Sequence, residues 1–286
     1  MLTTIGGLVL ARIIITDSTS DLPRDIVEQH SILTVPLNIH LQDTVYKDGV
    51  DIQPSELYHR LRTEDIFPQT SQPAAGDFLK IYQTLKPGDE CLVLCISSEL
   101  SGTYQSAQIA RDIATEKIPA DIHIVDSRSA SIGLGLQVIY AQQCFDQGKD
   151  MEQTLFELAE LRRRMRILFA VDTLDYLARG GRISQLSMRL GNLLQLKPVL
   201  HLEDGRIELL DKVRTKPKAI QRILDAFIKE APQAQQVAVV HIDALDEGHS
   251  LLERVQQHYS GPIMLIQCGA VVGSHAGPGT VGICWY

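Results

Sequence analysis

The residues of this 286-residue chain best suited to chemistry are hydroxyls and one histidine. Thr70-Ser71-Gln72-Pro73 sets two hydroxyls just ahead of a proline, and Ser98 through Tyr104 adds Ser101 and Thr103 around Gly102. Proline is favoured in a first helical turn, so the first segment reads as a helix beginning, and the capping hydroxyls of the second read the same way. Such an end leaves N–H groups unpaired and carries a partial positive charge, so two side by side could hold a carboxylate or phosphate with neutral donors only. Ser71 and Ser101 equally fit ordinary N-caps, the commonest use of such residues, worth about 1 kcal/mol each. His275 lies in Ser274-His275-Ala276-Gly277-Pro278-Gly279, a glycine loop where it could donate to an anion, cap a strand end or face water.

Other familiar chemistries find no support. Gly277-Pro278-Gly279-Thr280-Val281-Gly282 matches the dinucleotide glycine pattern, but only four residues follow it, too few for the helix that must hold a pyrophosphate. Neither a Walker A segment, a His-Glu-x-x-His pair nor a nucleophile elbow occurs. The nine histidines lack ligand spacing, so no metal is expected. The carboxylates offer no pair that stands out.

Composition narrows the classes further. Twenty-seven basic against 35 acidic residues give a net charge of −8, which disfavours a broad phosphate-binding face and, with no helix-turn-helix signal, a DNA-binding regulator. The five cysteines, 91, 95, 144, 268 and 284, have no repeated short spacing and read as buried thiols of a reducing compartment, so a cytoplasmic setting is expected. Met1–Leu10 lacks a basic start and reads as a ragged extension before the first strand, not a signal peptide. No run has the length of a membrane span.

The elements that must position these groups alternate as strand, loop and helix. Strands are expected at 12–16, 35–41, 91–96 and 122–125, with helices opening at Leu22-Pro23 (Asp21 as N-cap), over 51–62, from Pro73 to Tyr82, after Gly102, and after Ser129. Solid apolar runs such as Cys91–Ile96 suit a parallel sheet covered on both faces. Ligands bind beyond the carboxyl ends of such strands, so the hydroxyl-rich segments 16–20, 97–103 and 126–131 should converge on one crevice. From Asp172 the pattern changes to a short helix closed by Gly180-Gly181, an apolar helical patch at 190–196, and a hairpin of 197–202 with 206–213 around Glu203-Asp204-Gly205. Helices at 216–230 and 247–258, strands at 236–242 and 263–267, and two closing strands at 269–274 and 280–285 complete a mixed sheet. The expected organisation is an α/β chain of two domains, an N-terminal parallel-sheet domain over 1–168 and a C-terminal mixed-sheet domain over 169–286.

Taken in order, these segments resemble the DegV family of bacterial lipid-binding proteins. The resemblance rests on Ile15 through Pro23, Val35-Pro36-Leu37, Tyr46 through Gly49, Thr70 through Pro73, and Ile96 through Ala107. It continues with Val125-Asp126-Ser127, Asp172 through Ile183, Lys197-Pro198, Lys212 through Thr215, and His275 through Gly279. Gln69 stands where a second Thr or Ser is common, and Ala276 where Thr is frequent. The resemblance implies a two-domain α/β fold with one long-chain fatty acid between the domains and no cofactor. It puts Thr70 and Ser101 on the carboxylate, Ser71 in support and His275 nearby. It further implies a non-enzymatic carrier that presents its lipid to a separate fatty acid kinase for phospholipid synthesis.

No arginine lies in the Thr70 and Ser101 segments, and neutral donors release a carboxylate more readily than an arginine clamp. Arg179 and Arg182 flank Gly180-Gly181 and read as a solvated helix end, or as a dock for the kinase. The competing reading is a small-molecule phosphoryl-transfer enzyme with His275 as phosphate acceptor. A deep apolar cavity favours the carrier, a shallow polar one the enzyme.

Overall fold

The computed structural model describes residues 2–5, 8–115, 120–183 and 196–286. The first sheet is built on β2 (Leu8–Asp17), β7 (Glu90–Cys95) and β8 (Asp121–Asp126), which run parallel in that order. β3 (Leu33–Val35) adds to β2 in parallel, and β1 (Leu2–Ile5) pairs with it antiparallel. The N-terminal extension therefore contributes a strand paired with β2 rather than a ragged lead. From Cys91 to Cys95 every residue of β7 is buried, as a strand covered on both faces requires. Covering helices include α3 (Ala75–Tyr82), α4 (Thr103–Thr115), α5 (Ile132–Asp146) and α6 (Met151–Arg164).

A second, mixed sheet has the order β11-β10-β9-β14-β12-β13. Its strands are β9 (Arg166–Ala170), β10 (Lys197–Glu203), β11 (Arg206–Val213), β12 (Val237–Ile242), β13 (Ile263–Gln267) and β14 (Thr280–Trp285). β10 and β11 form the expected hairpin, with Asp204 and Gly205 both at positive φ (48° and 83°), the backbone of a tight two-residue turn. Its outer face packs on α8 (Lys216–Glu230), which presents Ala219, Ile220, Ile223, Leu224 and Phe227 at helical spacing, and on α9 (Leu245–Gln256). The inner face, with Phe169, Leu200 and Val240, packs toward the first sheet, so one apolar core joins both halves. A small antiparallel sheet, β5-β4-β6, is inserted in sequence between β3 and β7 of the first sheet: β4 (Asn38–Leu41), β5 (Thr44–Lys47) and β6 (Gln69–Ser71). All five cysteines are buried and free. No helix among the described residues is long and apolar enough to cross a membrane.

Four expectations are corrected. The run 35–41 is two strands in different sheets, because Pro36 has no N–H for a ladder and the chain turns there. Asp21 does not cap α1 (Arg24–Gln29); it ends a short 3₁₀ turn in the left-handed region at φ 50°, and Pro23 is the cap. Thr70 and Ser71 lie in β6 rather than at a helix start; α3 begins at Ala75 with Ala74 as its N-cap. The segment 269–274 is not a strand but most of α10 (Ala270–Ala276), so His275 belongs to a helix's last turn and not to a glycine loop. The apolar patch at 190–196 falls, but for Leu196, outside the described residues.

Candidate functional site

The three hydroxyl-rich strand ends do meet. Asp17 Oδ2 accepts from the amide of Ile96, the Ser97 amide donates to Ser129 O, and the Ser127 amide donates to Cys95 O. Between these ends and the inner face of the second sheet lies a narrow cavity, partly open to solvent, lined largely by apolar side chains such as Leu37, Leu100, Phe169, Ile207, Val240 and Val272. Its polar lining is Thr70, Ser101, Ser131, Arg182, His275 and Thr280. Two of these are committed elsewhere. Thr280 Oγ1 faces the carbonyls of Ala276 and Gly277, and Ser131 Oγ donates to Asp21 Oδ2 at 2.5 Å.

The remaining four cluster at one end. Thr70 Oγ1 lies 2.6 Å from His275 Nε2, which joins β6 to the last turn of α10. The His275 ring sits so close over Gly180 that a Cβ there would lie 2.3 Å from Nδ1. Arg182, two residues on, donates from Nε to Leu100 O at 3.1 Å and from Nη1 to Gly180 O at 2.5 Å, which fixes it beside Ser101. Ser101 Oγ shares a hydrogen bond with Thr103 Oγ1 at 2.9 Å at the start of α4. Gly102 lets Gln72 approach to where a Cβ would stand 2.8 Å from its Nε2, so the turns after β6 and β7 lie side by side. Thr70, Ser101 and His275 thus share one cavity end. Ser71, next along β6, turns away, accepting from Asn38 Nδ2 and facing His40 Nε2, and does not line the cavity.

Charge at this end is unbalanced. Burial first, and Arg182 second, push the His275 pKa down to about 4, so the ring is neutral near pH 7. Its buried Nδ1 has no partner; a proton there would be an orphan donor, so the proton is assigned to Nε2, which donates to Thr70. The Thr70 hydroxyl proton is then free to point into the cavity. Arg182 stays charged and, among the described residues, no carboxylate pairs with it. Its reading as a solvated helix end is overturned: the side chain is half-buried against backbone carbonyls and lines the cavity.

Three buried carboxylates behind the cavity wall escaped the sequence. Asp17 and Asp48 are pushed up to about 6 and Asp21 to about 8, each chiefly by burial. Asp48, just after β5, meets Ser18 and the first amides of α10, while Asp21 meets Ser131 and the amide of Gly269. Tyr58, on α2 (Pro54–Thr63), closes the same region, its hydroxyl 2.7 Å from Cys268 O and 2.9 Å from Gly269 O. Tyr58→Phe is expected to lower stability by about 1–3 kcal/mol by leaving a buried carbonyl unpaired. Urea unfolding of the two proteins measures this as a lower midpoint at unchanged slope.

Comparison with known proteins then decides the family. Residues 12–286 match the family model described as an uncharacterised protein of the DegV family. The chain belongs to the DegV family. A DegV domain-containing protein of Clostridium acetobutylicum is 35% identical over 277 residues, covering 96% of each chain. Among solved structures, a DegV family protein from Thermus thermophilus, described by its fatty acid binding, superimposes with a TM-score of 0.88 at 37% identity, covering 96% of this chain and 99% of that one. A stearic acid-binding protein from Eubacterium ventriosum gives 0.89 at 27% identity, with 96% and 98% covered. The mixed α/β DegV fold of this chain is thereby established, and these two solved members are described as fatty acid binders. Residues 1–11, including β1, precede the matched segment.

Proposed function

We propose that this DegV family chain binds one long-chain fatty acid, its tail in the apolar cavity and its carboxylate among Thr70, Ser101, His275 and Arg182. The observation that carries the reading is an apolar cavity ending in two hydroxyls, a neutral imidazole and a cation that no carboxylate among the described residues pairs with. An acyl tail offers only apolar length, and each buried CH₂ contributes ~0.8 kcal/mol, so about sixteen carbons reach roughly 10 kcal/mol before ordering costs. A bound carboxylate accepts from the Thr70 and Ser101 hydroxyls and balances Arg182. Because Arg182 is engaged with two carbonyls, it contributes field more than a bidentate grip, which favours release of the lipid. Thr70 and Ser101 are only partly buried, so a fatty acid kinase could reach the carboxylate from the same end. The five free thiols fit a cytoplasmic setting for that hand-over.

The long apolar lining favours this carrier over phosphoryl transfer at His275, because a small phosphorylated substrate would leave that lining unused. Protein purified without detergent should release close to one equivalent of fatty acid into organic solvent, identified by mass spectrometry. Finding no lipid, together with no uptake of added palmitate, overturns the proposal.

A further inference from the structure

The end of the cavity remote from Thr70 and His275 has a distinct construction. Ile167 on β9 and Leu202 on β10 lie one step beyond the last paired residues of those strands, Leu168 and His201. Strand alternation turns them to the inner face with Phe169 and Leu200, while Leu168 and Val199 pack on the outer core. Ile167 and Leu202 line the apolar cavity on one side and, on the other, a separate polar cleft that holds Arg128, Arg162, Arg163, Arg166 and His201 beside Asp126, Glu203 and Asp204. They are the only two side chains common to both spaces among the described residues. Thr280 lies level with Val171 by the β14–β9 register, so the cavity runs from there to Ile167 along four residues of β9, roughly 13 Å. His275, five residues before Thr280 and hydrogen-bonded to Thr70, extends that length at the opposite end.

We infer that Ile167 and Leu202 are the end wall of the acyl tunnel, setting the longest chain the protein holds and excluding chains whose far end is polar. This rests on the fatty acid reading above. Ile167 cannot retreat: α5 presses on it so closely that a Cβ on Gly133 would lie 2.2 Å from its Cδ1. A tail longer than the tunnel therefore meets a supported side chain. A tail ending in a carboxylate would bring a charge against two aliphatic groups, a costly burial without a partner. Behind them the cleft offers guanidinium groups that such a charge would reach if the wall were removed.

Retained chain length and far-end polarity give separate readouts. Wild type, Ile167→Ala/Leu202→Ala and Ile167→Phe would each be equilibrated with an equimolar mixture of saturated C12 to C22 acids and analysed by native mass spectrometry. The alanine double variant should hold acids about two to four carbons longer, since close packing lets tail carbons replace the side-chain carbons removed; Ile167→Phe should shift retention to shorter acids. Hexadecanedioic acid should bind wild type at least about 100-fold more weakly than hexadecanoic acid, and the double variant should narrow that ratio at least about tenfold. Should the double variant not fold, Ile167→Val carries the same test with a shift of about one carbon. An unchanged length profile and unchanged ratio in variants that still bind hexadecanoic acid overturn the end-wall assignment alone. Wild type that takes no acid from the mixture overturns the fatty acid reading itself, and the wall with it.

Discussion

At pH 8, Asp21→Asn is expected to unfold about 10 °C above the unaltered chain, whereas at pH 4 the two should unfold at nearly the same temperature. Burial, aided by neighbouring Asp48 and Asp17, raises the Asp21 carboxyl from 3.8 to about 8. A group whose pKa is higher folded than unfolded gives stability that is complete below the unfolded value and lost as pH climbs through the folded one. For Asp21 that window runs from about pH 4 to pH 8, and its full span corresponds to roughly 5 kcal/mol. Asn cannot ionise, so the difference between the two proteins should widen by about 1.4 kcal/mol per pH unit across the window and then level off. At ~2–4 °C per kcal/mol the full span gives roughly 10–20 °C, so the stated shift lies at its lower end. Other groups facing the site do not reverse the sign: Asp17 and Asp48 shift the same way, and Tyr58 and Cys268 are held neutral by burial. A pH series of thermal melts tests this; a difference independent of pH would sink the assignment of Asp21 as a buried neutral acid.

Thr70→Val with Ser101→Ala should weaken fatty acid binding by about 100-fold or more while leaving the unfolding midpoint of the lipid-free protein within a few degrees. A hydrogen bond to a charged group contributes roughly 1.5–3 kcal/mol, so losing two costs about 3–6 kcal/mol of affinity. Valine keeps the shape of threonine and its strand preference in β6, and Ser101 precedes α4 rather than lying within it. The loss should show as faster dissociation of a fluorescent fatty acid. His275→Ala probes the same end differently: it frees Thr70 Oγ1 from its 2.6 Å contact and leaves the hydroxyl unoriented. Wild-type affinity in the Thr70→Val/Ser101→Ala protein would place the carboxylate elsewhere.

What could be read from the sequence was what local chemistry decides. β7 is legible because five consecutive apolar residues need cover on both faces, β10–β11 because Asp204-Gly205 accepts the required turn, and α8 because its apolar residues recur at helical spacing. α10 was not legible. Its few apolar residues suit strand or helix equally, and the carboxylate that meets its first amides is Asp48, more than 220 positions earlier. The carboxylate cluster was hidden for the same reason, since Asp17, Asp21 and Asp48 come together only once β2 and β5 have folded. Thr70 was noticed for its hydroxyl and its place before Pro73, yet it is a strand that aims it. Arg182 looked like a helix terminus because its partners include the carbonyl of Leu100, 82 residues distant.

The apolar core joins side chains from all three sheets, among them Leu94, Ile39 and Leu200. Each half keeps a core of its own on its outer face, around Phe227 in one and Phe78 in the other, but both also rest on this shared one, so the two halves should melt as coupled units. If the chain holds an acyl tail as proposed, that tail is a removable piece of the common packing, and loading is expected to harden both lobes together while unloading softens both.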